Sequence, residues 1–279
     1  AAYLANSRNI FWGIHHTNLD KDFNKLSTIL VAKINSFLSY LIPRKIIVCA
    51  ESSKVIHMKK GYSKKKLITI PNGINTNKFK KSKKERSEFR KKINVKPHEF
   101  LYGTVARFHP IKDHVTLIKS IYKLKESGFK FKFLLIGKDI NYKNKTLNSL
   151  INKYRLKKFL ILLEEEKNIN LVMNALDLHV LSSKSEALPM VIMEAMACGT
   201  PCIATNVGDI KNIIFEKNLI VETSNHLKLF SAIKNFSNLK LDQKNELSNF
   251  CEEHIKRKYS LKKMIKDYFQ VYYKYSKLY

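Results

Sequence analysis

The 279-residue sequence predicts an α/β protein built from two parallel-sheet units, the first of them incomplete. Three observations carry this. From Phe100 onward, short β-branched runs alternate with helical patterns, which is the sequence form of a parallel sheet wrapped by helices. Ahead of them stand only three further apolar runs, half of what such a unit needs. Between the two sets lies a polar, lysine-rich stretch from Asn72 to Phe100, which reads as a connection carrying a solvated helix.

Taken in order, the first unit has apolar runs at 9–14, 45–49 and 67–70, with helical patterns near 22–41 and 52–59. The complete unit has strands at about 100–106, 131–136, 159–163, 178–181, 201–204 and 219–221. Its helices lie near 113–127, 146–154, 168–175, 189–198 and 226–237. The last stretch places Met264, Tyr268, Val271 and Tyr272 on one helical face, so it needs a surface to cover it. The expected organisation is a partial Rossmann-like unit with linker over 1–95, a complete one over 96–260, and a helix over 261–279 packing back toward the first.

Composition excludes several classes. With 44% apolar residues the chain is not disordered despite a net charge of +29. Residues 1–98 hold 22 basic and 5 acidic groups, and the remaining 181 residues hold 30 and 18. The front is the more cationic. That suits an anionic membrane surface or a phosphorylated lipid substrate, at ~1 kcal/mol per basic residue close to the surface. A well-solvated lysine surface explains the charge equally well. No helix-turn-helix, zinc finger or RNA-binding aromatic signature accompanies it, so no nucleic-acid partner is expected. No G-x-G-x-x-G follows a strand, which argues against a nicotinamide cofactor. The four cysteines (Cys49, Cys198, Cys202, Cys251) form neither a disulfide framework nor a zinc pattern, and they fit a reducing compartment. Lys33 and Pro43-Arg44-Lys45 interrupt the longest apolar stretches before they reach the ~20 residues of a membrane span. The opening Ala-Ala-Tyr-Leu has no charged segment ahead of an apolar one. A cytoplasmic place, peripheral at the inner face of the membrane, suits these features.

The chemistry concentrates in the segment from Ser182 to Pro201. A strand ends at Leu181, a polar loop follows, and Pro189 stands where a helix begins. Leu188 has no side-chain oxygen to cap that helix, so the amides of Met190 and Val191 are left to bind an anion. Glu186 and Glu194 flank this start, Ala195 and Ala197 permit close packing, and Gly199 ends the helix. A second segment, Gly103 to His114, places Arg107 and Lys112 five apart across a loop after the opening strand. Ligands of such sheets bind at these strand ends, and fixed cations there can stabilise a departing diphosphate.

Together these segments resemble glycosyltransferase family 4, retaining enzymes of the GT-B fold, whose E-x7-E signature Glu186 and Glu194 match. The resemblance implies that Glu186 meets hydroxyls of a donor sugar and Glu194 those of the ribose. The amides of Ala187, Leu188, Pro189, Met190 and Val191 would form the wall against sugar and diphosphate, proline contributing backbone only. Arg107 and Lys112 would hold the diphosphate. His16, after the first strand, is similar to a first-unit histidine near the donor sugar; a structural histidine is the competing reading. Ile70-Pro71-Asn72-Gly73 resembles the segment ending the first unit, with Gly73 expected at a positive backbone angle. The implied function is transfer of a sugar from a nucleoside diphosphate sugar to a lipid-linked saccharide or polysaccharide, in the style of bacterial surface-polysaccharide enzymes. The unit over 96–260 would bind the donor. An inactive or truncated relative that only binds partners stays open, and a basic nucleic-acid-binding protein ranks below it.

Some residues depart from the family pattern. The leading half of the first unit is missing, so uncovered apolar surface or a bare strand edge is expected. Glu164-Glu165-Glu166 stands where relatives carry a Gly-containing loop near the base, and Glu-Ala-Leu-Pro replaces the commoner Glu-Gly-Phe-Pro. Asp20-Lys21-Asp22 matches the D-x-D metal motif of another glycosyltransferase fold, but helix capping explains it. No metal and no cofactor are expected.

Overall fold

The computed structural model describes residues 7, 9–15 and 25–276. The first unit contains β1 (Phe11–Ile14), α1 (Leu26–Leu38), β2 (Lys45–Val48), α2 (Glu51–Lys59) and β3 (Leu67–Thr69), and its three strands pair in parallel in the order β1-β2-β3. Ile46, Val48, Tyr62 and Leu67 form its core, with Trp12, Ile14 and Met58 packed around them. On α1, Leu26, Leu30, Val31, Ile34 and Phe37 are all exposed.

After α3 (Lys83–Lys92), the second unit runs β4 (Leu101–Val105), α4 (His114–Glu126), β5 (Lys132–Ile136), α5 (Lys145–Lys153), β6 (Leu160–Leu163), α6 (Ile169–Ala175) and β7 (Leu178–Leu181). It continues through α7 (Met190–Ala197), β8 (Cys202–Thr205), α8 (Ile210–Ile213), β9 (Ile220–Val221), α9 (His226–Ser237) and α10 (Leu241–Lys258). The strands are parallel in the order β6-β5-β4-β7-β8-β9. The winding reverses between β4 and β7, the switch point at which doubly wound sheets open a crevice. Helix α4 shows why the layers hold. Leu117, Ile118, Ile121 and Leu124 recur at helical spacing and are fully buried against the sheet, at ~1.5–3 kcal/mol for each. The observed class is the expected one, α/β with parallel sheets.

Helix α11 (Leu261–Ser276) returns to the first unit: Phe11 and Tyr272 meet edge to face at 4.8 Å, and the Gly73 amide donates to Met264 Sδ at 3.2 Å. Beside it Ile74 forms a parallel bridge with Ser260.

Three local expectations need correction. The helix of the connection is not solvated all round. Phe89 and Arg90 are buried, and Arg86 and Arg90 donate to the last carbonyls of α6 and to Asp177. Gly73 does not lie at positive φ; its glycine is required because a Cβ would meet Leu261 Cα at 2.6 Å. Pro189 is the N-cap of α7 rather than its first residue, and the helix begins at Met190. In addition α10, with few apolar residues, has no counterpart among the expected helices; it packs on α7 and buries Cys251, His254 and Ile255.

Candidate active site

The loops after β4 and β7 meet at the switch point. The loop after β4 contains a short turn of helix at Pro110–Lys112, capped by His109 Nδ1 accepting from the Ile111 amide at 3.3 Å. Asp113 then turns left-handed, at φ 47°, and its carboxylate accepts from the Thr116 amide and hydroxyl to start α4. This turn fixes Lys112. Across the switch point, the Lys184 amide donates to the Ile111 carbonyl at 2.7 Å and Ser182 Oγ to the Lys112 carbonyl at 2.8 Å. Two loops some 70 residues apart in sequence are therefore bonded backbone to backbone.

Into that frame the structure sets Lys112 Nζ 2.5 Å from Glu186 Oε1, and Ser183 Oγ donates to the same oxygen at 2.6 Å. Both charged side chains are largely withdrawn from water, 21% and 14% exposed. The pair is an ion pair of partly dry surroundings, where Coulomb attraction exceeds its value in water several-fold. Arg107 follows β4 in the same loop and is exposed, with no carboxylate partner among the described residues. A positive edge thus remains although Lys112 is partly neutralised.

The loop from Glu186 leads into α7, whose N-cap Pro189 offers no side-chain oxygen. Leu188 and Pro189 are buried, whereas Ala187, Met190 and Val191 are half-buried at the loop's surface. The first amides of α7 therefore remain available to an anion, aided by the helix dipole. Glu194 lies one turn further along. It is half-buried, its carboxylate accepts no hydrogen bond from any described residue, and burial pushes its pKa up, opposed by the charge of Lys78. An unpartnered carboxylate in that setting is an acceptor for vicinal hydroxyls. At the far end of α7, Gly199 at φ +73° closes the helix, with the Thr200 amide donating to Ala195 and that of Gly199 to Met196.

Of the residues expected from the sequence, Arg107, Lys112, Glu186 and the start of α7 share the switch point, and Glu194 sits on the same helix. His16 and Asp20-Lys21-Asp22 lie outside the described residues. His114 and His179 are buried, their pKa values pushed down to about 4 and about 3 by desolvation, and the Val105 amide donates to His179 Nε2. Glu164, Glu165 and Glu166 line a pocket of 210 Å³ at the ends of β4, β5 and β6, beside Gly137 and Lys138. The larger cavity, 690 Å³ and lined by Lys81, Arg86, Asp177 and Gly199 among others, opens at the opposite ends of the strands.

Sequence reasoning missed three participants. Ser183 was inside the singled-out segment but carried no assigned role. Lys78 read as connection. Asp209, which accepts from two amides of α2, gave no local signal because its partners are far away in sequence.

Comparison with known proteins follows the same lines. A family model described as glycosyl transferases group 1 matches residues 85–257. The Bacillus anthracis N-acetyl-alpha-D-glucosaminyl L-malate synthase is 25% identical over 65% of this chain and 47% of its own length. The Escherichia coli UDP-Gal:alpha-D-GlcNAc-diphosphoundecaprenol alpha-1,3-galactosyltransferase is 24% identical over 75% of this chain and 54% of its own. This chain spans about half the length of the relatives it matches. Among solved structures, HepE from Anabaena in complex with UDP and glucose has a TM-score of 0.83 at 19% identity, covering 97% of this chain and 72% of that one. That likeness shows the fold, which is of the GT-B type. The matched residues 85–257 make up more than half of the sequence and contain Arg107, Lys112, Glu186 and Glu194, so the chain belongs to the glycosyl transferases group 1 family.

Proposed function

We propose that this chain forms the donor-binding part of a retaining glycosyltransferase that moves a sugar from a nucleoside diphosphate to a hydroxyl of a lipid-linked saccharide or polysaccharide. The observation that carries the reading is the Lys112–Glu186 pair at the switch point, beside an uncapped helix start and an exposed Arg107. Phosphate oxygens are the anions that such a combination of amides and cations takes. Glu186 faces the sugar hydroxyls while staying bonded to Lys112, and Glu194 accepts from the ribose hydroxyls.

In the reaction, the bond from sugar C1 to the diphosphate oxygen breaks and a bond from C1 to the acceptor oxygen forms on the same face. The acceptor proton passes to the departing phosphate oxygen, so no protein nucleophile is required. Arg107 and Lys112 meet the charge that develops on the leaving group, a role a metal takes in other folds. The reading draws support from the E. coli relative, named for UDP-Gal and a diphosphoundecaprenol acceptor, and from HepE, which was solved with UDP and glucose. No helix among the described residues is long and apolar enough to cross a membrane. A lipid-linked acceptor would then be met at the surface, where the cationic first unit favours anionic headgroups.

A thermal-shift screen against UDP-, GDP- and ADP-sugars tests donor binding, because a ligand bound only by the folded chain raises stability by ~2.7 kcal/mol at a hundred times its Kd. Glu194→Ala and Arg107→Ala, placed in a protein carrying the whole first unit, are each expected to abolish transfer. Retention of transfer in both variants refutes the site assignment.

A further inference from the structure

Helix α2 begins at Glu51 behind Ala50, which is extended (φ −148°, ψ 147°) and has no side-chain oxygen to cap the first turn. The missing cap comes from the other unit. Asp209 Oδ2 accepts from the Glu51 amide at 2.7 Å and Asp209 Oδ1 from the Ser52 amide at 2.8 Å, across 158 and 157 residues of sequence. Asp209 is 5% exposed, and a negative charge at a helix N-terminus is also favoured by the dipole.

The same residue holds the loop that carries Glu186. The Asp209 amide donates to the Ala187 carbonyl at 3.0 Å. Gly208 presses so closely on this loop that a Cβ there would meet the Ala187 and Glu186 carbonyl oxygens at 2.3 and 2.5 Å. One residue therefore links the first turn of α2 to the backbone beside Glu186. The surroundings make the link stiff. Cys49 and Ala50, just ahead of α2, are buried in the core of the second unit, and Tyr259 Oη donates to the Asn212 carbonyl close by.

We propose that Asp209 is a positioning residue that holds the donor loop in register with the first unit, so that a sugar at Glu186 is presented in a fixed direction toward that unit. This rests on the donor-site reading above. Asp209 itself touches neither donor nor reacting atoms; it acts through Ala187 on one side and α2 on the other.

Two substitutions on opposite units test it. Asp209→Ala removes the carboxylate and keeps the amide that holds Ala187. Glu51→Pro removes one donor from the other side, at the first helical position, where proline is favoured and the extended Ala50 before it is compatible. Glu51→Ala is the control, since it removes the side chain and keeps the amide. Spin labels on Lys59→Cys and Lys228→Cys, both exposed, report the distance between units by electron double resonance, and the four native cysteines are buried. The expected result is a single narrow distance in the labelled full chain and in Glu51→Ala. It broadens at least twofold in Asp209→Ala, which removes both hydrogen bonds, and measurably but less in Glu51→Pro, which leaves the Ser52 amide bonded; the double variant broadens no further than Asp209→Ala, because the proline removes a bond already lost with the carboxylate. Affinities for UDP, GDP and ADP, measured in parallel by calorimetry, are expected to stay within threefold of the unsubstituted chain. An unchanged distance distribution in both variants overturns the proposal, as does additive broadening in the double variant. Loss of nucleotide affinity in Asp209→Ala at unchanged distance also overturns it, making Asp209 a prop of the loop alone. Failure of the unsubstituted chain to bind any of the three nucleotides refutes the donor-site reading instead, whatever the distances show.

Discussion

Gly208→Ala probes how far the site depends on close approach of two backbones. Gly208 lies at φ +53°, and an added Cβ would sit 2.3 Å from the Ala187 carbonyl oxygen. Gly128 supplies the comparison, because it lies at φ +74° with nothing within 4 Å of a Cβ. Gly128→Ala therefore measures the left-handed backbone cost alone, about 1–2 kcal/mol. Gly208→Ala carries that cost and must also drive the Ala187 oxygen from 2.3 Å to at least 3.0 Å. Overpacking of this sort adds about 1–3 kcal/mol, so urea denaturation should show a loss of about 2–5 kcal/mol against about 1–2 for the control. The displaced segment carries Glu186, and misplacement by about 1 Å in a reacting geometry costs up to about a hundredfold. Calorimetry with whichever nucleotide binds best should then show unchanged affinity in Gly128→Ala and at least a tenfold loss in Gly208→Ala, an order-of-magnitude expectation from the same principle. Equal stability losses with equal affinities in the two variants would refute the reasoning.

Three further outcomes follow from other parts of the fold. Asp177 accepts from Arg86, Arg90 and the Leu101 amide, so Asp177→Ala leaves the buried Arg90 with carbonyl acceptors but no counter-charge and should cost about 3 kcal/mol in urea; a loss below about 1 kcal/mol contradicts this. His114 and His179 stay neutral in the fold down to about pH 4 and about pH 3, whereas in the unfolded chain they take up protons below the ordinary histidine value of 6.5. Stability should hold above that value and fall as pH drops below it, by about 1.4 kcal/mol per unit for each histidine; stability that stays flat to pH 4.5 sinks the assignment. Finally, if Arg107 and Lys112 carry the charge of the leaving group, transfer by the protein with a whole first unit should persist in EDTA. A tenfold loss restored by magnesium would show that a cation shares the task.

Much of the fold was legible because its signals are local. The six strands of the second sheet are short apolar runs, and α4 repeats buried residues at helical spacing; neither needs a partner to be recognised. The candidate site could be nominated for a related reason. Glu186, Pro189, Glu194 and Gly199 sit in one stretch whose order reproduces a strand, a loop and a helix start, and Arg107 with Lys112 occupies another. What stayed hidden is what depends on distant chain. Arg90 looks like one more cation in a basic helix, yet it is buried because Asp177, 87 residues on, and the end of α6 require it. Gly73 reads as a turn glycine, and its role is set by Leu261 and by Met264, 191 residues on. Asp209 follows a glycine in an ordinary loop, and only folding brings it to the two amides at the start of α2.

Arg90, Asp209 and the Asp177 that pairs with Arg90 share a physical property that separates them from the legible residues. Each satisfies backbone groups that no neighbour in sequence could satisfy: the α6 carbonyls for Arg90, the first α2 amides for Asp209, and the Leu101 amide for Asp177. An unpaired buried amide or carbonyl costs about 1–3 kcal/mol, so a helix end without a local cap is itself a signal that a distant polar side chain must arrive. Ala50 ahead of α2 is such an end. The start of α7 behind Pro189 is another, and no side chain of the described residues caps it. By the same accounting that brings Asp209 to α2, the proposed donor diphosphate is the group that would complete α7, and the cations Arg107 and Lys112 would meet its charge.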